Sequence, residues 1–254
     1  MFAFTPTITV NDIGLSHQRM PENVLQKGRD MRVLMVARAI LARDGLKDEI
    51  LEHEIAELLK KALHEQRNLT DDDRAQFIKK LEARRLEEAV RSVIQRPLHF
   101  SDMQLVIPGL YISSAMTAYD KKMLKAEGIT HICQCMDGKP PYPDSFQYLV
   151  LPVLDHESAN LKSRFYESNE FILTARDDPA ARILIHCQAG ISRSATVMIA
   201  YLMYELHISG DQALALVRAA RPFVRPNDGF AKQLVEFECE LFEARGWPAR
   251  SFSG

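Results

Sequence analysis

The stretch "LIHCQAGISRSAT" (184–196) sets a cysteine and an arginine at the two ends of one short loop. An apolar run closes in Cys187, and Arg193 opens a run of helical pattern. Between them lie Gln188, Ala189, Gly190, Ile191 and Ser192. A strand–loop–helix turn of this kind can point successive backbone amides inward and cup an anion. The start of the helix adds positive partial charge. Gly190 admits backbone angles that other residues resist. Arg193 supplies a planar fork that can hold two oxygens at once. Each element favours a phosphate-like dianion. In the same field Cys187 is favoured as a thiolate, the form that attacks a bound phosphorus. The hydroxyl of Ser194 is placed to donate to the sulfur when it departs. A lone cysteine beside a lone arginine would more often be a buried thiol and a surface charge. The joint spacing, His-Cys-x5-Arg-Ser across a strand end and a helix start, argues for chemistry.

The surrounding pattern supplies elements that can position this loop. From 98 onward, short apolar runs alternate with helical ones. "QLVIPGLYIS" reads as two strands around a Pro-Gly turn, and "TAYDKKMLKAEG" as one helix ended by Gly128. "ITHICQC", "QYLVLPVLD" and "ARILIHC" read as strands. "SRFYESNEFILTAR" and "SRSATVMIAYLMYEL" read as helices, and two more are expected near 210–220 and 228–244. Strands alternating with helices predict an α/β fold with a central, mostly parallel sheet of about five strands flanked by helices.

From Arg29 to Gln95 the chain differs in character, charged, poor in glycine and helical in period, so residues 1–97 are read as an all-helical N-terminal extension. Helices are expected over 31–41 and 48–64, broken at "RDG" (43–45). Thr70 before Asp71, Asp72 and Asp73 is a strong helix start. The helical spacing then continues through Ile78, Leu81, Leu86, Ala89, Val90 and Val93. "QRPLHF" (95–100) is the expected linker. The organisation is thus an extension (1–97), a catalytic domain (98–247) and a short tail (248–254).

The 254 residues carry 46% hydrophobic and 26% charged side chains, an ordinary globular balance. A net charge of -2 disfavours nucleic-acid binding through bulk positive charge. No apolar run approaches the ~18 residues of a membrane span. The opening "MFAFTPTITVNDIG" lacks the features of a secretory signal. The four cysteines, 133, 135, 187 and 239, form no disulfide framework, so a reducing cytoplasmic or nuclear setting is expected.

"HCQAGISRSAT" resembles the signature loop of the cysteine-dependent protein phosphatases. The form Ala-Gly-Ile-Ser-Arg-Ser-Ala-Thr is most similar to dual-specificity phosphatases of the MAP-kinase-phosphatase-like group. "AYLM" (200–203), "RPNDGFAKQL" (225–234) and "GITHICQC" extend the resemblance over about Leu105 to Phe242. It implies two-step hydrolysis of phosphomonoesters through a cysteinyl-phosphate, with no metal or organic cofactor. It implies Gln188–Arg193 as the phosphate-binding loop, His186 as an orienting residue and Asn227 as a support for the loop.

A serine or tyrosine alkoxide is a poor leaving group, so a carboxylic acid is needed beside the cup. Asp155 follows the run "YLVLPVL", and His156 and Glu157 are its neighbours on the same loop. In the family the acid lies about thirty residues ahead of the cysteine, and the pattern Asp-x4-Asn-Leu (Asp155, Asn160, Leu161) matches. Family members acting on phosphoinositides often carry extra basic residues inside the phosphate-binding loop; here it holds no lysine and no second arginine, so the resemblance favours a phosphoprotein over a phosphoinositide or RNA 5′-phosphate, with a glycan a further alternative. Classical tyrosine-specific enzymes of the superfamily are longer and build a deep pocket, so the resemblance implies for this compact portion a shallow cleft that admits phosphoserine and phosphothreonine as well as phosphotyrosine. MAP kinases are the candidate substrates. A phosphate-binding module without turnover is the remaining alternative.

Two features lie outside this chemistry. "KGRDMRVLMVARAILAR" sets Lys27, Arg29, Arg32, Arg38 and Arg43 against Asp30, a basic helix able to dock a partner protein or an acidic surface. An amphipathic helix packed on its own domain is the plainer reading. Cys133 and Cys135 share one face of a strand. They are a weak metal signal, and a candidate pair for trapping an oxidised Cys187 as a disulfide.

Overall fold

The computed structural model describes residues 20, 22–43, 48–63, 68–83, 86, 90, 94 and 102–245. The expected linker at 95–100, the tail at 248–254 and most of 84–93 lie outside the described residues.

Three helices come first: α1 (Glu22–Arg43), α2 (Glu49–Leu63) and α3 (Asp71–Ala83). α3 starts where its cap predicts. Thr70 Oγ accepts from the Asp73 amide at 3.0 Å, and the Asp73 carboxylate accepts from the Thr70 amide at 2.7 Å. α1 begins well ahead of the expected Met31. Its first turns carry polar residues tied along the helix, such as Gln26 Nε2 donating to Asp30 Oδ1 at 2.8 Å, so no apolar period announces them.

β1 (Gln104–Ile107) and β2 (Leu110–Ser114) form an antiparallel pair around Pro108 and Gly109, the latter at φ +75°. The single helix expected after β2 is divided into α4 (Ala115–Ala118) and α5 (Lys121–Ala126). Asp120 makes the division: its Oδ1 accepts from the Lys122 and Met123 amides, both at 3.0 Å, and caps a new start. β3 (His131–Gln134), β4 (Gln147–Val150), α6 (Phe165–Arg176), β5 (Ile183–Cys187), α7 (Arg193–Leu206), α8 (Gly210–Ala220) and α9 (Asp228–Arg245) follow.

The five strands run in the order β1-β2-β5-β3-β4, all parallel except β1. β5 is central, with parallel neighbours on both sides, and is buried along its whole length. That burial explains its uninterrupted apolar run. β4 stops at Val150, short of the strand expected through Asp155. It is an edge strand, and Pro152 has no amide to continue a ladder. The residues 151–155 are thereby released as loop, which the site needs.

The N-terminal helices are not peripheral in packing. Met31, Leu34, Ile55 and Phe77 belong to one apolar core with Leu214, Leu216 and Val217 of α8. α1 and α8 meet so closely that a Cβ on Gly28 would lie 2.5 Å from the Ala215 carbonyl carbon and oxygen. This breaks up the basic docking face expected on α1. Arg32 and Lys27 are buried, Arg29 pairs with Glu22, and Arg38 remains exposed. The Arg43 side chain lies outside the described residues.

The contact yields a prediction. Alanine at position 28 gains about 1 kcal/mol in helix propensity, but overpacking against backbone costs about 1–3 kcal/mol. Gly28→Ala should therefore unfold at lower urea than wild type. An unchanged or raised midpoint would mean that α1 and α8 separate without cost.

Candidate active site

Cys187 ends β5 and is 1% exposed. Its Sγ accepts from the Gly190 amide and from the Ser194 hydroxyl, both at 3.2 Å. Both donors favour negative charge on sulfur. Gly190 sits at φ +69°, and a Cβ there would lie 2.5 Å from the Ser113 carbonyl oxygen. Only glycine lets the loop turn so tightly against β2.

The outward side of the loop is held group by group. The Gln188 carbonyl accepts from the Ala115 amide at 3.2 Å, and the Ile191 carbonyl from the Arg225 amide at 2.9 Å. The Ser192 carbonyl accepts from the Thr196 amide and hydroxyl, each at 2.8 Å. The two carbonyls at the centre belong to Ala189 and Gly190. Arg221 serves both, through Nη2 at 3.0 Å and Nε at 2.8 Å. Its Nη1 donates to the side chain of Gln104 and to the Asp102 carbonyl at 3.3 Å. Arg221 is fully buried, which pulls its guanidinium down to about 10. The sequence reading passed over Arg221, because "RAARPF" looks like the charged end of a surface helix. The available signal was indirect: a cup of inward amides requires outward donors.

The acid loop meets the phosphate loop at its far lip. Asp155 Oδ1 accepts from the Ser192 hydroxyl at 2.7 Å and from Asn227 Nδ2 at 2.9 Å. Its Oδ2 lies 3.5 Å from Arg193 Nε. Arg193 Nη1 donates to the Val153 carbonyl at 3.1 Å. Asn227 thus bridges both loops, since its amide also donates to Ser192 Oγ at 3.2 Å. The neighbours of Asp155 are otherwise engaged. His156 Nδ1 is 2.8 Å from Ser158 Oγ in a local turn. Glu157 presents its backbone to Gly229, where any Cβ would collide. Gln233, which lies in the stretch 225–234 but is given no role by the sequence, latches the end of this loop onto α9. Its Oε1 accepts from the Leu161 and Lys162 amides at 2.8 Å, and its Nε2 donates to the Ala159 carbonyl at 2.7 Å.

His186 is completely buried and stands edge-on to the Tyr119 ring, with centroids 6.4 Å apart. Neither ring nitrogen has a partner of hydrogen-bond geometry. Burial drives its pKa from 6.5 down to about 4; the adjacent Cys187 backbone opposes this weakly and Arg193 assists it. The imidazole is therefore neutral at physiological pH. The Sγ atoms of Cys133 and Cys135 lie 3.9 Å apart beneath the loop. Burial, and then the contact with Cys133, push the Cys135 thiol well up. Among the described residues no cluster of three or more metal-ligating side chains occurs, and no helix is long and apolar enough to cross a membrane.

Residues 110–240 match the family model of the dual specificity phosphatase catalytic domain. The chain is 40% identical over 148 residues to mouse "Dual specificity protein phosphatase 22", covering 58% of this chain and 80% of that protein. It is 38% identical over 139 residues to "MAP kinase phosphatase with leucine-rich repeats protein 2" of Dictyostelium discoideum. There it covers 55% of this chain but only 20% of the relative's length. Among solved structures, a mouse putative dual specificity phosphatase complexed with zinc tungstate superposes with a TM-score of 0.55 at 31% identity. That match covers 59% of this chain and 94% of the other.

The buried histidine makes stability pH-dependent. Above about pH 6.5 it is neutral in both states and costs nothing. As pH falls from 6.5 toward 4, the unfolded chain takes up a proton that the folded one refuses, so stability drops, by up to about 3 kcal/mol. His186→Gln should remove that part of the pH dependence of urea unfolding. Parallel curves for variant and wild type would contradict a buried neutral imidazole.

Proposed function

The chain belongs to the dual specificity phosphatase family, and from that premise we propose that it hydrolyses phosphotyrosine and phosphoserine or phosphothreonine in proteins by way of a cysteinyl-phosphate. The observation that carries this reading is the sulfur of Cys187 beneath a loop whose Gly190 amide points at it, with Arg193 and Asp155 at the opposite lip. Phosphate oxygens bind the loop amides and the Arg193 fork. The Cys187 thiolate attacks phosphorus as the bond to the leaving oxygen breaks, and Asp155 gives that oxygen its proton. Water then attacks the phosphocysteine, Asp155 takes the proton from water, and the sulfur leaves with the Ser194 hydroxyl hydrogen-bonded to it. A phosphate on Arg193 competes with Asp155 for the same guanidinium, which frees the acid for proton transfer as substrate binds.

Neutral His186 supports the loop by packing and takes no proton. The absence of lysine and of a second arginine between Cys187 and Arg193 favours phosphoproteins over phosphoinositides. MAP kinases are the substrates we favour, since relatives of the catalytic portion carry that designation in their names. Exposed Arg38 and the Glu22-paired Arg29 are the basic groups described on α1 that remain to dock an acidic partner. A reducing compartment, cytoplasm or nucleus, keeps Cys187 active.

The test is turnover of phosphotyrosyl and phosphothreonyl peptides by wild type, Cys187→Ser and Asp155→Asn. Cys187→Ser should abolish hydrolysis of both. Asp155→Asn should lose about 10²–10⁴-fold on phosphothreonine, and much less on p-nitrophenyl phosphate, whose leaving group needs little protonation. Equal losses on the two substrates would remove Asp155 as the acid. Hydrolysis of phosphotyrosine alone would contradict dual specificity.

A further inference from the structure

The segment that matches the family model starts at residue 110, so α1 lies wholly ahead of it. Yet one α1 side chain reaches the framework behind the phosphate loop. Arg32 is 5% exposed. Its Nη1 donates to the Ala219 carbonyl at 3.1 Å, in the last turn of α8. Its Nη2 donates to the Leu105 carbonyl at 3.2 Å, on β1. Arg221 stands two residues beyond Ala219, and its guanidinium is anchored on Gln104, the residue before Leu105. The same guanidinium holds the Ala189 and Gly190 carbonyls. Two buried cations therefore meet at one junction: Arg32 binds the end of α8 and β1, and Arg221, just past that end, binds Asp102 and Gln104 at the start of β1. Arg32 ties the end of α8 to β1, and that junction sets where the Arg221 side chain begins and where it is anchored.

Alternatives to this coupling are costly. A buried guanidinium that loses a carbonyl partner keeps its desolvation cost. The Gly28 contact holds α1 against α8 one helical turn ahead of Arg32, so α1 cannot drift away from the junction. We propose that Arg32 is a positioning residue for phosphoryl transfer, acting through Arg221 on the curvature of the phosphate loop. The N-terminal helices are then part of the catalytic apparatus, contributed from outside the family's domain. This rests on the phosphatase reading above.

The experiment uses the full chain with four variants: Arg32→Met, Arg32→Lys, Arg221→Lys and the double variant Arg32→Met/Arg221→Lys. The readouts are kcat and KM for p-nitrophenyl phosphate, inhibition by orthovanadate and the urea midpoint. Arg32→Met keeps the aliphatic stem and removes every donor. A small displacement of the loop should lower its kcat about tenfold, weaken orthovanadate in proportion and move KM little. Arg32→Lys, able to hold one carbonyl, should recover part of kcat. On the Arg221→Lys background, Arg32→Met should cost little more, because both act on one junction.

A lowered urea midpoint with kcat and orthovanadate inhibition unchanged would show Arg32 to be merely structural and overturn the inference. Multiplicative losses in the double variant would also overturn it. Should Arg32→Met fail to fold, unchanged kcat in Arg32→Lys decides the matter the same way. A wild type that neither turns over substrate nor binds orthovanadate removes the phosphatase reading and this inference together, whereas an active wild type matched by its Arg32 variants removes the inference alone.

Discussion

A loop that turns its backbone N–H groups toward an anion must turn its carbonyls the other way, and each carbonyl then needs a donor from behind. Most of the structure around Cys187 answers that requirement. α4 supplies an amide to Gln188, the segment before α9 supplies one to Ile191, and α7 serves Ser192 with Thr196. Ala189 and Gly190 lie at the tightest point, where Gly190 is pressed against the Ser113 carbonyl of β2, an acceptor and not a donor. They take a buried guanidinium, that of Arg221, and that cation must in turn be satisfied by Gln104 and Asp102. The chain of dependence runs from the catalytic sulfur outward to β1 and the end of α8.

The acid loop obeys a related constraint. β4 ends early at an edge of the sheet, and after the Leu151 amide bonds the Gln134 carbonyl, residues 152–161 leave the ladder. They borrow partners from α9 and its lead-in: Asn227 for Asp155, Gln233 for Ala159, Leu161 and Lys162. Asn227 also bonds Ser192. One short stretch of sequence, 225–233, thus sets the spacing between the nucleophile's loop and the acid's loop. That spacing, more than the chemistry of any single residue, decides whether a phosphate can bridge them.

Much of this was legible beforehand. The strand into Cys187, the helix out of Arg193 and the Pro-Gly hairpin were written in local patterns, because hydrophobic period, turn residues and caps are local. The α3 cap at Thr70 is another such case. The misses share a cause. The start of α1 was overlooked because a close glycine contact and polar i,i+4 bonds, rather than an apolar stripe, hold it. β4 is shorter than its pattern predicts because the apolar run from Tyr148 to Leu154 carries no local sign of an end, and its edge position is a property of the sheet. Arg32 reads in sequence as one charge of a basic docking helix, because burial of a cation depends on carbonyls far away in sequence.

What the sequence determined alone is the cast of the proposed reaction. Cys187, Arg193, Ser194 and the glycine that lets them share a loop lie within a few residues of one another, so their mutual geometry follows from one strand, one turn and one helix. What only the tertiary structure decided is everything that acts on them from a distance. Arg221, Gln233, Arg32 and the seat of Asp155 lie tens of residues or more from the loop, and one of them comes from a segment outside the family's domain. A guanidinium and a carboxamide carry no mark in sequence that distinguishes a buried clamp from a solvated surface group; the difference is made by which carbonyls and amides the folded chain leaves in need of partners.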